Sequence, residues 1–318
     1  MARLDDLGEK AIVSRILESL ESGVAVGPGD DAAAIDMGSY YLVISTDIIS
    51  KASHLPLGMT DWQIGWMVAA VNYSDIAAMG AEPLGLLLAM GLPRDLEDNR
   101  VMAMVQGADD CSRKMGASLL GGDTKEAAEI ILTGTALGKV EKGGLLTRGG
   151  AAPGDLLAIT GELGLAAAGF VSIREEIDCP EGRKALMEPW PRTKEGRTLS
   201  RSGHVTACID ISDGLAHSVH LLSTASGVAF ELEWESIPVR WDVTQVAEIS
   251  GIDIEELVLF FGGDYELLFT IAPDGLEDLK REIPDIRVIG RAVEGRENIL
   301  TRQGKIVNLE NRGWEHFG

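Results

Sequence analysis

Apolar residues recur at spacings of three and four over several stretches of the chain, and at spacings of two, or without a break, over shorter ones. Ile12, Ile16 and Leu20 form one stripe and predict an opening helix. Residues 32–35 and 40–45, with turn-forming residues 36–39 between them, predict a hairpin. Thr60 or Asp61 is placed to cap a long helix ending near Gly80, with Pro83 just beyond it as a stop. A second helix is expected over 97–115, followed by a short strand at 118–120 and a long one at 130–140. Together these make an α/β unit with mixed strand directions.

The run from Arg148 to Asp155 is rich in glycine and proline and reads as a boundary, which divides the chain into domains 1–149 and 150–318. Beyond it the pattern predicts a strand at 156–160, a small-residue helix at 165–171 and a charged, exposed excursion with one helical piece at 174–203. An apolar strand then leads through Asp210 and Asp213 into a helix over 215–225, stopped by Gly227, and residues 266–270 form a further strand. This second unit reads as α+β, closing in short strands and turns.

One carboxylate breaks the pattern. Ile64, Val68, Val71, Asp75 and Met79 share a helical stripe, so Asp75 stands where an unpaired charge is costly. A structural salt bridge would explain it, but no Lys or Arg is suitably spaced on that helix, which favours a metal ligand.

At 318 residues with 45% hydrophobic content, the chain can bury a sizeable core. No segment approaches the roughly 20 apolar residues of a membrane span, and the opening Met1-Ala2-Arg3-Leu4 does not read as a signal peptide. Cys111, Cys179 and Cys208 are too few and too dispersed for a disulfide framework or a Cys-rich zinc site, so a cytoplasmic setting is expected. The formal net charge of −22 argues against a nucleic-acid or anionic-membrane partner. It also means that a nucleotide bearing about four negative charges could enter a carboxylate pocket only with divalent cations between the two.

The chemistry-bearing residues come in short acidic motifs beside glycines or at the ends of apolar runs. They include Gly29-Asp30-Asp31, Ser45-Thr46-Asp47, Asn72-Tyr73-Ser74-Asp75, Gly121-Gly122-Asp123-Thr124, Asp210-Ile211-Ser212-Asp213 and Gly262-Gly263-Asp264-Tyr265. Carboxylates suit hard cations such as Mg²⁺, and glycines let backbone N–H groups approach a phosphate. Taken singly, Asp213 could simply cap the helix that follows it, and Ser45-Thr46-Asp47 could be an ordinary turn. His217 and His220 read as packing or surface residues, because no Cys or Glu nearby completes a zinc pattern. The chain contains no Gly-x-x-x-x-Gly-Lys-Ser/Thr loop, Gly-x-Gly-x-x-Gly element or Gly-x-Ser-x-Gly elbow.

Across almost the whole chain, the order and spacing of these motifs resemble the thiamine-monophosphate kinases, a family of the aminoimidazole-ribonucleotide-synthetase-like superfamily. His54 downstream of Asp47, Leu146-Thr147-Arg148, Asp264-Tyr265-Glu266-Leu267 and the near-terminal Gly313-Trp314-Glu315-His316-Phe317 add to the match. The resemblance implies a two-domain fold with mixed sheets, in which amino-terminal domains join as a homodimer barrel with active sites between subunits. It implies in-line phosphorylation of thiamine monophosphate to thiamine diphosphate by ATP, with Mg²⁺ and K⁺ and no separate general base. Matched residue by residue, Asp31, Ser45, Thr46, Asp47, Asp75, Asp123, Asp210 and Asp213 would bind or support metal. Gly122, Asp123, Arg148 and Ser212 would contact the nucleotide, and His54 and Trp314 the thiamine substrate.

The chain departs from the family pattern at Gly263, where an acidic substrate contact is expected. A related ATP enzyme that activates an amide oxygen, or a non-catalytic Mg-nucleotide sensor, are the alternative readings. The Trp314 motif favours the kinase branch. The lack of a Cys before Cys111 disfavours selenophosphate synthetase, and the lack of a terminal Cys disfavours the hydrogenase-maturation relative.

Overall fold

In the computed structural model, which describes residues 4–20, 23–51 and 54–315, the first half runs α1 (Leu4–Ser19), β1 (Ala33–Asp36), β2 (Tyr40–Ser50), α2 (Asp61–Ala78), β3 (Glu82–Leu92), α3 (Asp98–Lys114), β4 (Leu119–Glu126) and β5 (Ile131–Glu141). Its strands form one sheet in the order β1-β2-β5-β3-β4, antiparallel except for the β3–β4 pair. In β5 alternate residues are buried, as a strand with one covered face requires, and α2 lies on that face. The opposite face leaves Ile48, Leu84, Leu87 and Leu120 exposed.

Helix α2 starts as its sequence dictates. The Thr60 hydroxyl accepts the Gln63 backbone N–H at 3.2 Å while the Thr60 N–H donates to Gln63 Oε1 at 2.9 Å, a reciprocal cap. The helix is not amphipathic, however: nearly every residue from Ile64 to Ala78 is buried, because sheet and helices surround it. Asp75 therefore belongs to a central buried helix rather than to the apolar stripe of a surface one.

The second half runs β6 (Leu156–Ile159), α4 (Leu165–Arg174), α5 (Pro180–Met187), α6 (Thr193–Ser202), β7 (Val205–Asp210), α7 (Leu215–Ser226), β8 (Ala229–Glu233), α8 (Trp241–Ser250), β9 (Leu267–Ile271), α9 (Leu276–Glu282), β10 (Arg287–Val293), β11 (Ile299–Arg302) and β12 (Lys305–Asn308). Its sheet has the order β12-β11-β8-β10-β6-β9-β7, antiparallel except where β8 meets β11. Helices α4, α7 and α8 share a core with one face; α6, α9 and the Ala77-Ala78 end of α2 share a core with the other. Strand β9 is consequently buried at every position, which explains its unbroken apolar run. Through α2 the two sheets are packed against a common element.

Several sequence expectations are corrected. Pro83 does not merely stop a helix: it lies in β3, an eleven-residue strand between β5 and β4. Pro at the start of a strand removes little from the ladder, and the run Leu84–Leu92 does not alternate, so the strand was hidden from periodicity. Strand β2 continues to Ser50 because β5 pairs with it as far as Ile131, so Ser45-Thr46-Asp47 is mid-strand rather than a turn. Residues 174–203 hold two helices, and α6 packs on α2 with Thr193, Gly196 and Leu199 buried. Helix α1 forms, yet Ile16 and Leu20 of its stripe are exposed.

Removing the α2 cap should lower stability without altering the fold. Thr60→Ala is expected to cost about 1 kcal/mol in reversible urea unfolding, and no measurable loss would mean that tertiary packing alone sets the start of the helix.

Candidate active site

Three carboxylates from separate parts of the chain meet at one point. Asp31 precedes β1, Asp75 comes from the last turns of α2, and Asp210 ends β7; one oxygen of each lies within 4.8 Å of the others. Neutral and cationic donors hold them in place. The Ser45 hydroxyl donates to Asp75 Oδ2, and Ser74 donates to Asp210 Oδ2 at 2.6 Å. Arg148 grips Asp31 Oδ1 through Nη2 at 2.6 Å and Nε at 3.1 Å, while its backbone N–H reaches Asp30 at 3.1 Å. Asp31 Oδ2 is buried with no hydrogen-bond partner among the described residues.

Asp75 and Asp210 of the cluster line a cleft of about 600 Å³, whose wall does not include Asp31. Asp47, Ser212 and Asp213 give the same wall further acidic and polar groups, with Thr46 beside them. Asp47 faces the same way as Ser45 along β2, and its N–H donates to Asn72 Oδ1 at 3.0 Å. Thr46 faces the other way, and its hydroxyl donates to the Gly134 carbonyl of β5 at 2.8 Å. Asp213 does not cap α7, whose N-cap is Gly214 with no side-chain cap. Its carbonyl instead accepts the Trp314 N–H at 2.9 Å, tying the chain terminus to the site.

Much of the remaining wall is aromatic and apolar, with Glu9 and Lys51 also on it. Phe170, Phe261 and Trp314 form a stepped series with ring centroids 5.3 and 5.9 Å apart, and His54, Leu55, Met67 and Leu186 complete the wall. Gly263, at the position of the family departure, also borders the cleft; its φ of 93° is a conformation that side chains rarely adopt. His316 and Phe317 of the terminal motif lie outside the described residues.

Other expected residues are not gathered here. Gly122 and Asp123 lie on the exposed edge strand β4, outside the cleft wall, with Asp123 3.7 Å from Lys125. Arg148 is engaged with Asp31 rather than lining the cleft. His217 and His220 pack, bonded to Asn311 and to the Leu309 carbonyl at 3.1 and 2.8 Å. Ser74, Asn72 and Tyr265 were missed as site residues. Ser74 and Asn72 could have been found beside Asp75, whereas Tyr265 reaches the cleft only through folding.

Burial dominates the electrostatics. It raises the Asp31 carboxyl to about 7 despite Arg148, and Asp210 to about 6 despite Ser74. Asp75 is pushed well above the ordinary carboxylate range, first by burial and then by Asp47, Asp210 and Asp31; Asp47 is raised by burial. Such a group of oxygens, one of them orphaned, fits a hard divalent cation that would restore the charged forms.

Fold and site together define a class, and comparison with known proteins agrees. Residues 29–140 match the AIR synthase related protein N-terminal domain, and residues 152–303 the corresponding C-terminal domain. A thiamine-monophosphate kinase of Methanospirillum hungatei is 40% identical over 290 residues, covering 90% of this chain and 92% of the relative. One from Pyrococcus horikoshii is 32% identical over 311 residues, covering 97% and 96%. The solved structure of AaThiL complexed with AMPPCP and TMP superposes with a TM-score of 0.89 at 29% identity, covering 99% of each chain. The chain belongs to the thiamine-monophosphate kinase family.

The raised carboxyls make a pH signature. Asp31 and Asp210 titrate near 7 and 6 in the fold, and near about 4 in an unfolded chain. Folding therefore binds protons in that window, so their contribution is complete below about pH 4 and is lost as pH rises through their folded values. In chelator the melting temperature should fall from pH 5.5 to pH 8, and Mg²⁺ should raise it chiefly at pH 8. A metal-free melting temperature that climbs over this range would contradict the arrangement.

Proposed function

We propose that the chain phosphorylates thiamine monophosphate to thiamine diphosphate with ATP, using the cleft between the carboxylate cluster and the aromatic wall. The observation that carries this is the meeting of Asp31, Asp75 and Asp210 beside a cleft that Asp75 and Asp210 line together with Phe170, Phe261 and Trp314. The family membership and the neighbour bound to AMPPCP and TMP support it.

Mg²⁺, held by Asp31, Asp75 and Asp210 with Asp47 and Asp213 nearby, would neutralise phosphate charge and so permit two anions to meet. The chain's own groups do the positioning. Ser45, Ser74 and Arg148 fix the directions of the cluster carboxylates. The aromatic wall takes the ring portion of thiamine, with Trp314 and His54 on it, and leaves the substrate phosphate beside the acidic groups. The acceptor is already an ionised phosphate oxygen, so in-line transfer needs no general base; proximity and electrostatics supply the acceleration. K⁺ is part of the same reading, as is a cytoplasmic setting. Among the described residues, no helix is long and apolar enough to cross a membrane.

We also assign a homodimer. Sheet residues Ile48, Leu84, Leu87 and Leu120 present an apolar face, and β4 offers an unpaired edge carrying Gly122 and Asp123. Closing two such sheets into a barrel would cover that face and bring Gly122 and Asp123 of one subunit toward nucleotide in the site of another. The division into domains 1–149 and 150–318 belongs to the same reading.

Purified protein incubated with ATP, Mg²⁺ and thiamine monophosphate should form thiamine diphosphate, and ATP consumption without this product would overturn the assignment. Trp314→Ala should raise KM for thiamine monophosphate at least about tenfold, the scale of a lost ring contact with its burial, while KM for ATP changes little. For the assembly, sedimentation without nucleotide should give a dimer, and an active monomer would refute the barrel.

A further inference from the structure

Tyr265 is a bulky residue with φ of 51°, a left-handed conformation rarely adopted by such side chains. Both neighbours are anchored in ways that enforce it. Asp264 turns away from the cleft and accepts the backbone N–H groups of Gly164 at 2.9 Å and Ala166 at 3.4 Å at the start of α4. Glu266 is held by the Arg192 guanidinium, with Nε at 2.7 Å, and by the Thr160 hydroxyl at 2.6 Å. Between them the Tyr265 N–H donates to the Ile211 carbonyl at 3.0 Å, one residue from Asp210. Strain maintained by so many contacts commonly marks a functional position.

The side chain that this conformation directs is 9% exposed and borders the cleft. Its hydroxyl has no hydrogen-bond partner among the described residues, and the carboxylates of Asp210, Asp47, Asp213 and Asp75 are the charges that act on it. Gly262 and Gly263 border the same cleft without side chains, so Tyr265 is the side chain this loop sends into it. A phenol at the cleft wall whose hydroxyl bonds no group among the described residues is available to donate to a bound acceptor.

We propose that the Tyr265 hydroxyl donates a hydrogen bond to a phosphate oxygen of the acceptor monophosphate beside the acidic groups of the cleft. This rests on the kinase reading above. A lysine at this place would pair with the carboxylates and compete with metal, whereas a phenol donates without adding charge. The acceptor rather than ATP is the partner because the loop of residues 262–265 adjoins Phe261 and Trp314, the wall assigned to thiamine. Tyr265 makes no proton transfer; it orients the attacking phosphate.

Tyr265→Phe keeps the ring and removes the donor. Its kcat/KM for thiamine monophosphate should fall about 10-fold to 100-fold, as expected for one hydrogen bond to an ionised group, while KM for ATP and the melting temperature stay near wild type. Wild-type-like turnover in the folded variant, or a rise in KM for ATP instead, overturns the inference while leaving the kinase reading intact. Failure of the wild type to turn over thiamine monophosphate overturns both. Should the variant not fold, protein carrying 3-fluorotyrosine decides the matter. The Tyr265 fluorine resonance should move when thiamine monophosphate and Mg²⁺ are added and not with Mg-ATP alone, and a resonance indifferent to thiamine monophosphate refutes the contact.

Discussion

The burial of several carboxylates at one point is the constraint around which this protein is built. Asp31, Asp75 and Asp210 are brought within 4.8 Å from the start of one sheet, the central helix and the end of a strand in the other sheet. Left alone, such a cluster would take up protons, and burial already pushes each carboxyl upward. The fold compensates only in part. Two serine hydroxyls and one guanidinium satisfy selected oxygens, while one oxygen of Asp31 stays unpaired. What remains is a site whose charged form requires cations, which suits a reaction between two phosphates.

Helix α2 makes this convergence possible. It carries Asn72, Ser74 and Asp75 within one turn, and these reach β2, β7 and the cluster respectively. Because α2 is enclosed by both halves of the chain, movement of either sheet relative to it would separate the ligands. The pair of a partly buried Arg192 and a buried Glu266 gives a second tie: it joins the start of α6 to the strand segment that continues past Tyr265. Breaking such a pair leaves an uncompensated charge, so its chief effect is to specify one arrangement of the 262–267 segment.

The departure at Gly263 acquires a local meaning. With φ of 93° and no side chain, it leaves room at the cleft wall while Asp264 is directed to the N-terminus of α4 and Tyr265 to the cleft. Three consecutive residues thus serve different surfaces. The apolar outer face of the first sheet and the strand β4, exposed along nearly its whole length, are the surfaces on which the proposed dimer rests.

Residue pattern and spacing determined much of this protein. The reciprocal cap at Thr60 is a local contact of residues three apart, so it was legible, as were most first-half helices and the alternating strand β5. The acidic motifs were legible through their order and spacing, and Asp75 through its place on an apolar stripe, where an unpaired charge is costly. Strand β3 and helix α6 were not, since an unbroken apolar run and a charged segment acquire their burial from partners distant in sequence. Likewise, the resemblance implied metal-binding roles for Asp31, Asp75 and Asp210, but only tertiary packing decided that they meet. It alone gave Ser45 and Ser74 to particular carboxylates, engaged Arg148 with Asp31 and turned Tyr265 into the cleft. Local chemistry depends on neighbours along the chain and can be read there, whereas a site depends on distances between segments, which only the closed core fixes.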